Sequence, residues 1–380
     1  MSFASLGLSP AILKALEKQF YNAPYPIQEQ AIPHILKGKD ILGIAQTGSG
    51  KTASFVLPIL QQLQTKPLGK NRHINALVLV PTRELAIQVG QVFQSFSNAL
   101  PNRIKTLAVY GGVSINPQMI QLQGVEILVA TPGRLLDLVD SKAVYLSDVE
   151  MLVLDEADKM LNLGFKEEMT KIFHLLPKKR QNLLFSATLG KDVDTITEFL
   201  LHDPIKIEIA TEEQNIDLIQ QIAYSVEEER KGPLLRYLIK EQKMTQVLVF
   251  TSSVHRADAV VEKLKVNNIA AAALHSKKSQ GARTDALKNF KSGKIHVLVA
   301  TDLMSRGIDI PYLPVVINYE LPRSPKDYIH RIGRTGRAEA SGTAISLIST
   351  EEQHHFGVIQ KKMRKKLDLI DTATIELKGF

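Results

Sequence analysis

The eight residues AQTGSGKT, at positions 45–52, place two glycines, three hydroxyl side chains and a lysine directly after the apolar run ILGI. Glycines at such a turn let backbone amides curl round phosphate oxygens, and a helix that starts there offers its positive end to an anion. In this arrangement Lys51 would reach the outer phosphates and the Thr52 hydroxyl would bind a magnesium ion. The stretch predicts a nucleotide-phosphate loop, although Ala45 replaces the first glycine of the full motif. The alternative is a glycine-rich turn with a chance lysine.

Two adjacent carboxylates follow a second apolar run, because the sequence DEAD at 155–158 comes directly after MLVL. Open α/β sheets bind their ligands at the carboxyl ends of the strands. There Asp155 suits the coordination shell of a magnesium ion, and Glu156 suits positioning and deprotonating an attacking water. Away from a strand end, the same four residues would indicate only a solvated charge cluster.

A third motif, HRIGRTGR at 330–337, repeats an arginine every three residues, at Arg331, Arg334 and Arg337. On a helix or a tight turn, this spacing aims at least two guanidinium groups in one direction, towards a phosphate or a carboxylate. The alternative is a basic surface helix.

The elements that position these motifs are short apolar runs separated by helical stretches, and the pattern restarts after the acidic stretch TEEQNID at 211–217. Continuous apolar strands that alternate with helices indicate mainly parallel sheets covered by helices. We therefore predict an α/β protein with two tandem domains. The predicted segments are a first domain over 1–207, a linker over 208–217, a second domain over 218–366 and a short C-terminal extension over 367–380.

Composition narrows the class of protein. The 380 residues carry a net charge of +8, with 21 basic and 19 acidic residues in 1–210 and 26 and 20 in 211–380. A basic excess is compatible with a polyanionic partner. The chain has no cysteine, which excludes disulfides, thiolate metal sites and cysteine nucleophiles. No apolar run approaches the length of a membrane span, and we expect a cytoplasmic protein without a membrane partner.

The motifs together resemble the DEAD-box RNA helicase family in order and spacing across nearly the whole chain. Besides the three above, they are PTRELA at 81–86, GG at 111–112, TPGR at 131–134, SAT at 186–188 and ATDLMSRGID at 300–309. The segment KSQGARTDALKNFKSG at 278–293 is most similar to the bacterial RhlE-type branch. The resemblance implies two RecA-like domains with an ATP and RNA cleft between them.

The resemblance also implies an ATP site with a bound Mg²⁺. Its adenine-selecting part would be Phe3 and, in the element PYPIQ, Gln28; the alternative for Phe3 is an ordinary core anchor. Phe20 and Tyr25 depart from the family pattern, which usually has glycine and then serine or threonine at these positions. The complete set of implied ATP-binding residues is Phe3, Gln28, Thr47, Gly48, Ser49, Gly50, Lys51, Thr52 and Asp309, with Thr52 and Asp155 as magnesium ligands.

Further roles follow from the same resemblance. Lys51, Glu156, Arg334 and Arg337 would be catalytic, the two arginines acting as fingers on the γ-phosphate. Interdomain coupling would use Asp158, Ser186, Thr188 and His330. The implied RNA contacts are Thr82, Arg83, Gly112, Thr131, Arg134, Thr301 and Asp302. Short polar side chains and loop glycines suit phosphates and 2′-hydroxyls, which predicts binding without sequence preference. Ser252, Val254 and Ser276 depart from the family pattern. We therefore expect the RNA affinity of the second domain to differ from that of other family members.

We therefore predict an RNA-stimulated ATPase, monomeric, that unwinds short RNA duplexes locally or remodels RNA–protein complexes, in ribosome assembly or RNA decay and with protein partners from those processes. One alternative is a DNA translocase of the same superfamily. Another is an RNA clamp that is gated by ATP and has no catalytic activity. The presence of all four implied catalytic residues argues against this alternative. Near the end of the chain, Phe356, Ile359 and Met363 have helical spacing and predict an apolar stripe, with five cations at 361–366 projecting elsewhere. These cations would either contact RNA or form a solvated face.

Overall fold

A computed structural model describes residues 2–46, 48–65, 71–209, 219–302, 313–335 and 342–380. The chain divides into two compact units, Met1–Thr211 and Glu212–Phe380. The division falls inside the predicted linker. Among the residues that the structure describes, no helix is long and apolar enough to cross a membrane.

The first unit is built on a parallel sheet of seven described strands. They are β1 (Ile41–Ile44), β2 (Ala76–Leu79), β3 (Thr106–Val109), β4 (Ile127–Ala130), β5 (Met151–Leu154), β6 (Gln181–Ser186) and β7 (Ile205–Glu208). Their order in the sheet is β3-β4-β2-β5-β6-β1-β7. Every residue of β1, β2, β4, β5 and β6 is buried, as expected for apolar strands with both faces covered.

Helices cover both faces of this sheet. They are α1 (Pro10–Lys18), α2 (Pro26–Leu36), α3 (Lys51–Gln64), α4 (Arg83–Ser97), α5 (Asn116–Gln121), α6 (Pro132–Asp140), α7 (Ala157–Asn162), α8 (Lys166–Leu175) and α9 (Lys191–Leu200). Alternate strand residues point to opposite faces, so Ile127 joins one hydrophobic cluster and Leu128 the other. Local signals fix the helix starts: the Thr82 hydroxyl accepts a hydrogen bond from the backbone N–H of Leu85 (3.2 Å) and caps α4.

The second unit repeats the architecture. Its described strands are β8 (Ile219–Ser225), β9 (Val247–Thr251), β10 (Ala271–Leu274), β11 (Val297–Thr301), β12 (Val315–Asn318), β13 (Gly342–Ile348) and β14 (Leu369–Asp371). They lie in the order β10-β11-β9-β12-β13-β8-β14, with all pairs parallel. The described helices are α10 (Lys231–Glu241), α11 (Val254–Val266), α12 (Gln280–Lys291), α13 (Pro325–Ile332) and α14 (Gln353–Met363). The predicted α/β class with two helix-covered parallel sheets is confirmed.

The end of the chain belongs to this second unit. The segment that the sequence set apart as an extension supplies β14, which pairs with β8, and the Thr372 hydroxyl donates to the carbonyl of Ser225 (2.7 Å). The apolar stripe predicted on the last helix is confirmed, since Phe356, Ile359 and Met363 are all buried in one cluster.

Candidate active site

Three neighbouring strands of the first sheet bring the predicted nucleotide motifs to one edge. Strands β5, β6 and β1 are adjacent and parallel, so their carboxyl ends lie side by side. The backbone N–H of Ala45, which opens the glycine-rich loop, donates to the carbonyl of Ser186 (3.0 Å). The DEAD residues follow β5 directly. The sheet order therefore assembles the phosphate loop, the paired carboxylates and the SAT residues in one place.

The phosphate loop has the backbone that its glycines predict. Gly48 and Gly50 take φ values of +84° and +88°, in the left-handed region that favours glycine. Lys51 is the first residue of α3 and is buried, with its ammonium donating to the carbonyl oxygen of Ala45. Burial lowers the pKa of Lys51, and the charges of Asp155 and Glu156 oppose that shift. The lysine therefore lies inside the loop and within electrostatic reach of the two carboxylates.

The predicted adenine-selecting element is tied to this loop. Gln28 is fully buried, and its side-chain amide donates to the carbonyl of Gly50 (2.9 Å) while its oxygen accepts from the backbone N–H of Tyr25 (3.0 Å). Phe3 is only 6% exposed and lies in the hydrophobic core of the unit. That position is consistent with the core-anchor alternative for Phe3, whereas Gln28 lies beside the phosphate loop, and its predicted role in adenine selection stays a prediction.

Gly50 is restricted by space as well as by backbone conformation. A Cβ atom on Gly50 would lie 2.5 Å from Nε2 of Gln28 and 2.8 Å from Cδ2 of Tyr25. We expect Gly50→Ala to weaken ATP binding about tenfold or more, because the added Cβ displaces Gln28 and shifts the loop backbone that would hold the phosphates. Calorimetric titration with ATP measures the effect.

Gly38→Ala is the matched control for this variant. Gly38 also has a positive φ, +75°, but a Cβ there meets nothing within 4 Å. This control should lose stability from backbone strain and still bind ATP normally. If Gly50→Ala binds ATP as tightly as the unaltered chain, the link between the loop and Gln28 is unimportant for the nucleotide.

The paired carboxylates are buried and incompletely hydrogen-bonded. Burial raises the pKa of Asp155 to about 6, against the opposing effect of Lys51. Glu156 takes a left-handed φ of +57°, and its Oε1 accepts from the ammonium of Lys159 (2.7 Å). Within the described part of the chain, Oδ1 of Asp155 and Oε2 of Glu156 have no hydrogen-bond partner. Buried acceptors without donors are costly, so both atoms suit a bound cation or water.

Magnesium fits these donors. Among the described residues, no group of three or more His, Cys, Asp or Glu side chains could hold a metal alone. Magnesium does not require one, because it binds through one or two protein oxygens together with substrate phosphates and water. The unpartnered oxygen of Asp155 and the hydroxyl of Thr52, on the second residue of α3, supply oxygens of this kind.

The predicted coupling residues of the first unit contact one another. The Thr188 hydroxyl donates to Oδ2 of Asp158 (2.9 Å), and the Ser186 hydroxyl donates to the carbonyl of Thr188 (2.7 Å). The SAT residues are thus hydrogen-bonded to the DEAD residues. These hydrogen bonds would transmit a displacement of one motif to the other.

The predicted RNA residues of the first unit occupy the other half of the same sheet edge. Thr82, Gly112 and Thr131 follow β2, β3 and β4, which are adjacent. A Cβ atom on Gly112 would overlap the Arg83 guanidinium, so these two residues are in close contact. Arg134 is buried and donates to the carbonyl of Val113 (2.8 Å), which fixes the loop after β3.

In the second unit, Arg331 has a role that the spacing of the arginines did not reveal. Its side chain, 2% exposed, donates to both carboxylate oxygens of Asp302 (2.5 and 2.8 Å) and to Oδ1 of Asn318 (3.0 Å). Its guanidinium also lies 4.9 Å from the ring centroid of Phe250. Arg331 therefore anchors α13 to strand ends that include Asp302, one of the predicted RNA residues.

The other predicted residues of the second unit are less enclosed. Thr301 ends β11, His330 is exposed on α13, and Arg334 is half-buried just after that helix. Ser252, where the family often has a basic side chain, donates its hydroxyl to Glu320 (2.8 Å). Three predicted site residues, Thr47, Asp309 and Arg337, lie outside the described residues.

Comparison with known proteins defines the class. Residues 25–196 match the DEAD/DEAH box helicase model, and residues 230–339 match the helicase conserved C-terminal domain. The chain belongs to the DEAD/DEAH box helicase family, and the predicted membership of the DEAD-box RNA helicases is confirmed.

Individual relatives agree with this assignment. The chain is 39% identical to the DEAD-box ATP-dependent RNA helicase CshA of Bacillus cereus over 376 residues, 99% of this chain and 70% of that protein. It is 40% identical to the ATP-dependent rRNA helicase RRP3 of Gibberella zeae, covering all of this chain and 77% of the relative. The structure of Saccharomyces cerevisiae Dbp5 bound to RNA and ADP BeF3 matches with a TM-score of 0.83 and 31% identity, over 98% of this chain and 96% of Dbp5. The two units are RecA-like domains.

Proposed function

We propose that this chain, an ATP-dependent RNA helicase by family, hydrolyses ATP at the β1, β5 and β6 end of its first sheet and does so when RNA is bound. One observation carries the proposal: buried Lys51 donates to the carbonyl of Ala45 in a loop of left-handed glycines, at the same sheet edge where Asp155 and Glu156 follow β5. Lys51 and the backbone of Gly48, Ser49 and Gly50 would hold the phosphates, and Gln28 would select adenine.

The carboxylates divide the remaining chemistry between them. Asp155 and Thr52 would hold Mg²⁺, which neutralises charge on the phosphate oxygens when it is bound. Glu156 would position the attacking water and accept its proton, because its Oε2 is buried and lacks a partner among the described residues. Catalysis of phosphoryl transfer consists almost entirely of such positioning together with electrostatic stabilisation of the transferred group.

RNA would bind along the neighbouring half of the same edge. Thr82, Arg83, Gly112, Thr131 and Arg134 are short polar groups, glycine and loop-fixing arginines, which suit the sugar–phosphate backbone better than base edges. Binding that distorts a few base-pair steps, each worth roughly 1.4 kcal/mol in DNA, destabilises a short duplex but not a long one. Such binding would unwind short RNA duplexes locally or remodel RNA–protein complexes.

Arg334 would complete the ATP site from the second unit. We propose that RNA contacts at Thr301 and Asp302 are transmitted through the Asp302–Arg331 pair to α13, the helix that precedes Arg334. Asp158, Ser186, Thr188 and His330 would couple this step to the first unit. Asp309 and Arg337, which lie outside the described residues, keep their predicted roles in ATP binding and at the γ-phosphate.

RNA dependence is the test of this function. We expect phosphate release at saturating ATP to be low without RNA and to rise strongly when single-stranded RNA is added. A DNA strand of the same sequence should compete poorly for binding in the presence of a non-hydrolysable ATP analogue, because it lacks the 2′-hydroxyl. Equal rates with and without RNA would contradict the coupling, and equal affinity for RNA and DNA would favour the translocase alternative.

The biological setting is proposed from relatives. RRP3 is named an rRNA helicase, which supports a role in ribosome assembly, with RNA decay as the second candidate. The protein would act in the cytoplasm as a monomer, together with proteins of ribosome assembly or RNA decay. The segment over 278–293, most of which forms α12, supports placement in the RhlE-type branch.

A further inference from the structure

The end of the last helix gathers an unusual concentration of positive charge. Five cations, Lys361, Lys362, Arg364, Lys365 and Lys366, occur within six residues, and the whole stretch 353–367 contains no aspartate or glutamate. We call these five residues the α14 basic end.

The packing of α14 directs this charge to the solvent. Phe356, Ile359 and Met363 form the buried face of the helix, so Lys361 and Lys362 must lie on its exposed face. Arg364 then takes a left-handed φ of +54° that ends the helix. Lys361, Lys362, Arg364 and Lys366 are exposed and Lys365 is half-buried.

The α14 basic end lies away from the predicted RNA residues of the same unit. The helix begins at the carboxyl edge of the sheet, where the His355 ring is 2.8 Å from the carbonyl oxygen of Pro322. Its apolar face shares a cluster with Ile348, at the carboxyl end of β13, and Ile219, at the amino end of β8. An eleven-residue helix is about 16 Å long. The helix thus carries its basic end back across the sheet, away from Thr301 and Asp302.

A purely structural role explains only part of the cluster. The helix dipole stabilises cations in the last turn of a helix, which accounts for Lys361 and Lys362. Lys366 lies beyond the helix and is exposed, and neighbouring like charges repel one another even in water. A polyanion would relieve this repulsion, since each neutralised phosphate releases a counterion.

We propose that the α14 basic end is a second RNA-binding surface. It contacts the phosphates of an RNA segment that extends beyond the core path, by which we mean the proposed RNA contacts at the strand ends. The inference rests on the proposed function, because RNA held at the strand ends supplies the nearby polyanion. Contacts to phosphate raise affinity for any sequence. Removing the cation that neutralises one phosphate should reduce the log–log salt slope by about 0.7 for a single strand.

The experiment compares two variants with the same loss of charge. The test variant replaces Lys361, Lys362, Lys365 and Lys366 with Gln, which preserves helix propensity. The control replaces Lys263, Lys265, Lys288 and Lys291, four exposed lysines on α11 and α12, in the same way. Binding is measured over a range of salt concentrations, with a short RNA that fills only the core path and with the same RNA extended.

The test variant alone should lose affinity, about tenfold or more at low salt, and only for the extended RNA, with a flatter salt slope. Equal losses in both variants would overturn the proposal in favour of net charge alone. Unchanged affinity and slope would make the α14 basic end a solvated face. Loss of binding to anionic phospholipid vesicles, with RNA binding unchanged, would assign it to a membrane instead. RNA-stimulated ATP hydrolysis by the unaltered chain is measured in parallel, so that failure of the proposed function is seen separately.

Discussion

Replacing Glu156 with Gln is expected to lower RNA-stimulated ATP turnover by about 10²- to 10⁴-fold, the usual contribution of a positioned general base. The amide keeps the shape of the side chain but cannot accept the proton of the attacking water. Lys51, Thr52 and Asp155 remain, so ATP-dependent RNA binding should persist. Phosphate release measures turnover, and RNA affinity with ATP present measures binding.

Two observations control the result for Glu156. Glu167→Gln makes the same change of charge at an exposed position on α8 and should leave turnover unchanged. The unfolding midpoint of each variant shows whether loss of the Glu156–Lys159 pair, whose atoms are 2.7 Å apart, disturbs the fold. If Glu156→Gln loses RNA binding together with turnover, the residue shapes the site and is not its base.

The strand ends of the site were predictable because each motif follows an apolar run, and a run of this type with a helix after it indicates a parallel strand. Which of these strand ends lie side by side was not predictable from the sequence. The order β3-β4-β2-β5-β6-β1-β7 places the predicted nucleotide motifs on one half of the edge and the predicted RNA motifs on the other. That order depends on which crossover connections form, and local periodicity contains no information about them. The family resemblance supplied the expectation that the motifs work together.

The role of Arg331 shows a second limit. The regular spacing favoured arginines that point the same way, but α13 ends at Ile332, so Arg331 is helical and Arg334 is not. The partners that bury Arg331 come from strands that are distant in sequence. Phe250 is the second-last residue of β9, Asp302 follows β11, and Asn318 is the last residue of β12. A buried guanidinium needs such partners, and contacts between residues far apart in sequence are not visible in a three-residue repeat.

The departure at Phe20 has a local explanation. The family usually has glycine at this position, and Phe20 takes a left-handed φ of +59° with 86% of its surface exposed. The turn between α1 and α2 therefore keeps the backbone conformation that favours glycine although the side chain is large. A non-glycine residue there costs about 1–2 kcal/mol, and the exposed ring avoids any further clash. The sequence alone showed the substitution but not the conformation.

Replacing Arg334 with Gln should remove most of the RNA-stimulated ATP turnover. An arginine finger contributes about 10³- to 10⁵-fold to phosphoryl transfer, because it neutralises charge that develops on the γ-phosphate only in the transition state. ATP and RNA affinities should therefore change little while turnover at saturating RNA is lost. Arg334→Lys should not restore the rate, since a lysine lacks the planar, forked donors.

The control for Arg334 is Arg323→Gln, which removes the same charge from an exposed arginine just before α13. It should hydrolyse ATP normally. The backbone of Arg334 accepts from the N–H of Leu313 (3.3 Å) and donates to the carbonyl of Arg331 (3.1 Å), and the variant keeps both bonds. The unfolding midpoint of Arg334→Gln shows whether the change of side chain disturbs the fold.

RNA dependence gives the sharper test of Arg334. If RNA stimulates hydrolysis because it delivers Arg334 to the ATP held by the first unit, Arg334→Gln should show the low RNA-free rate whether RNA is present or not. A variant that is slow but still stimulated by RNA to the same degree would separate RNA coupling from Arg334 and place the coupling in other residues.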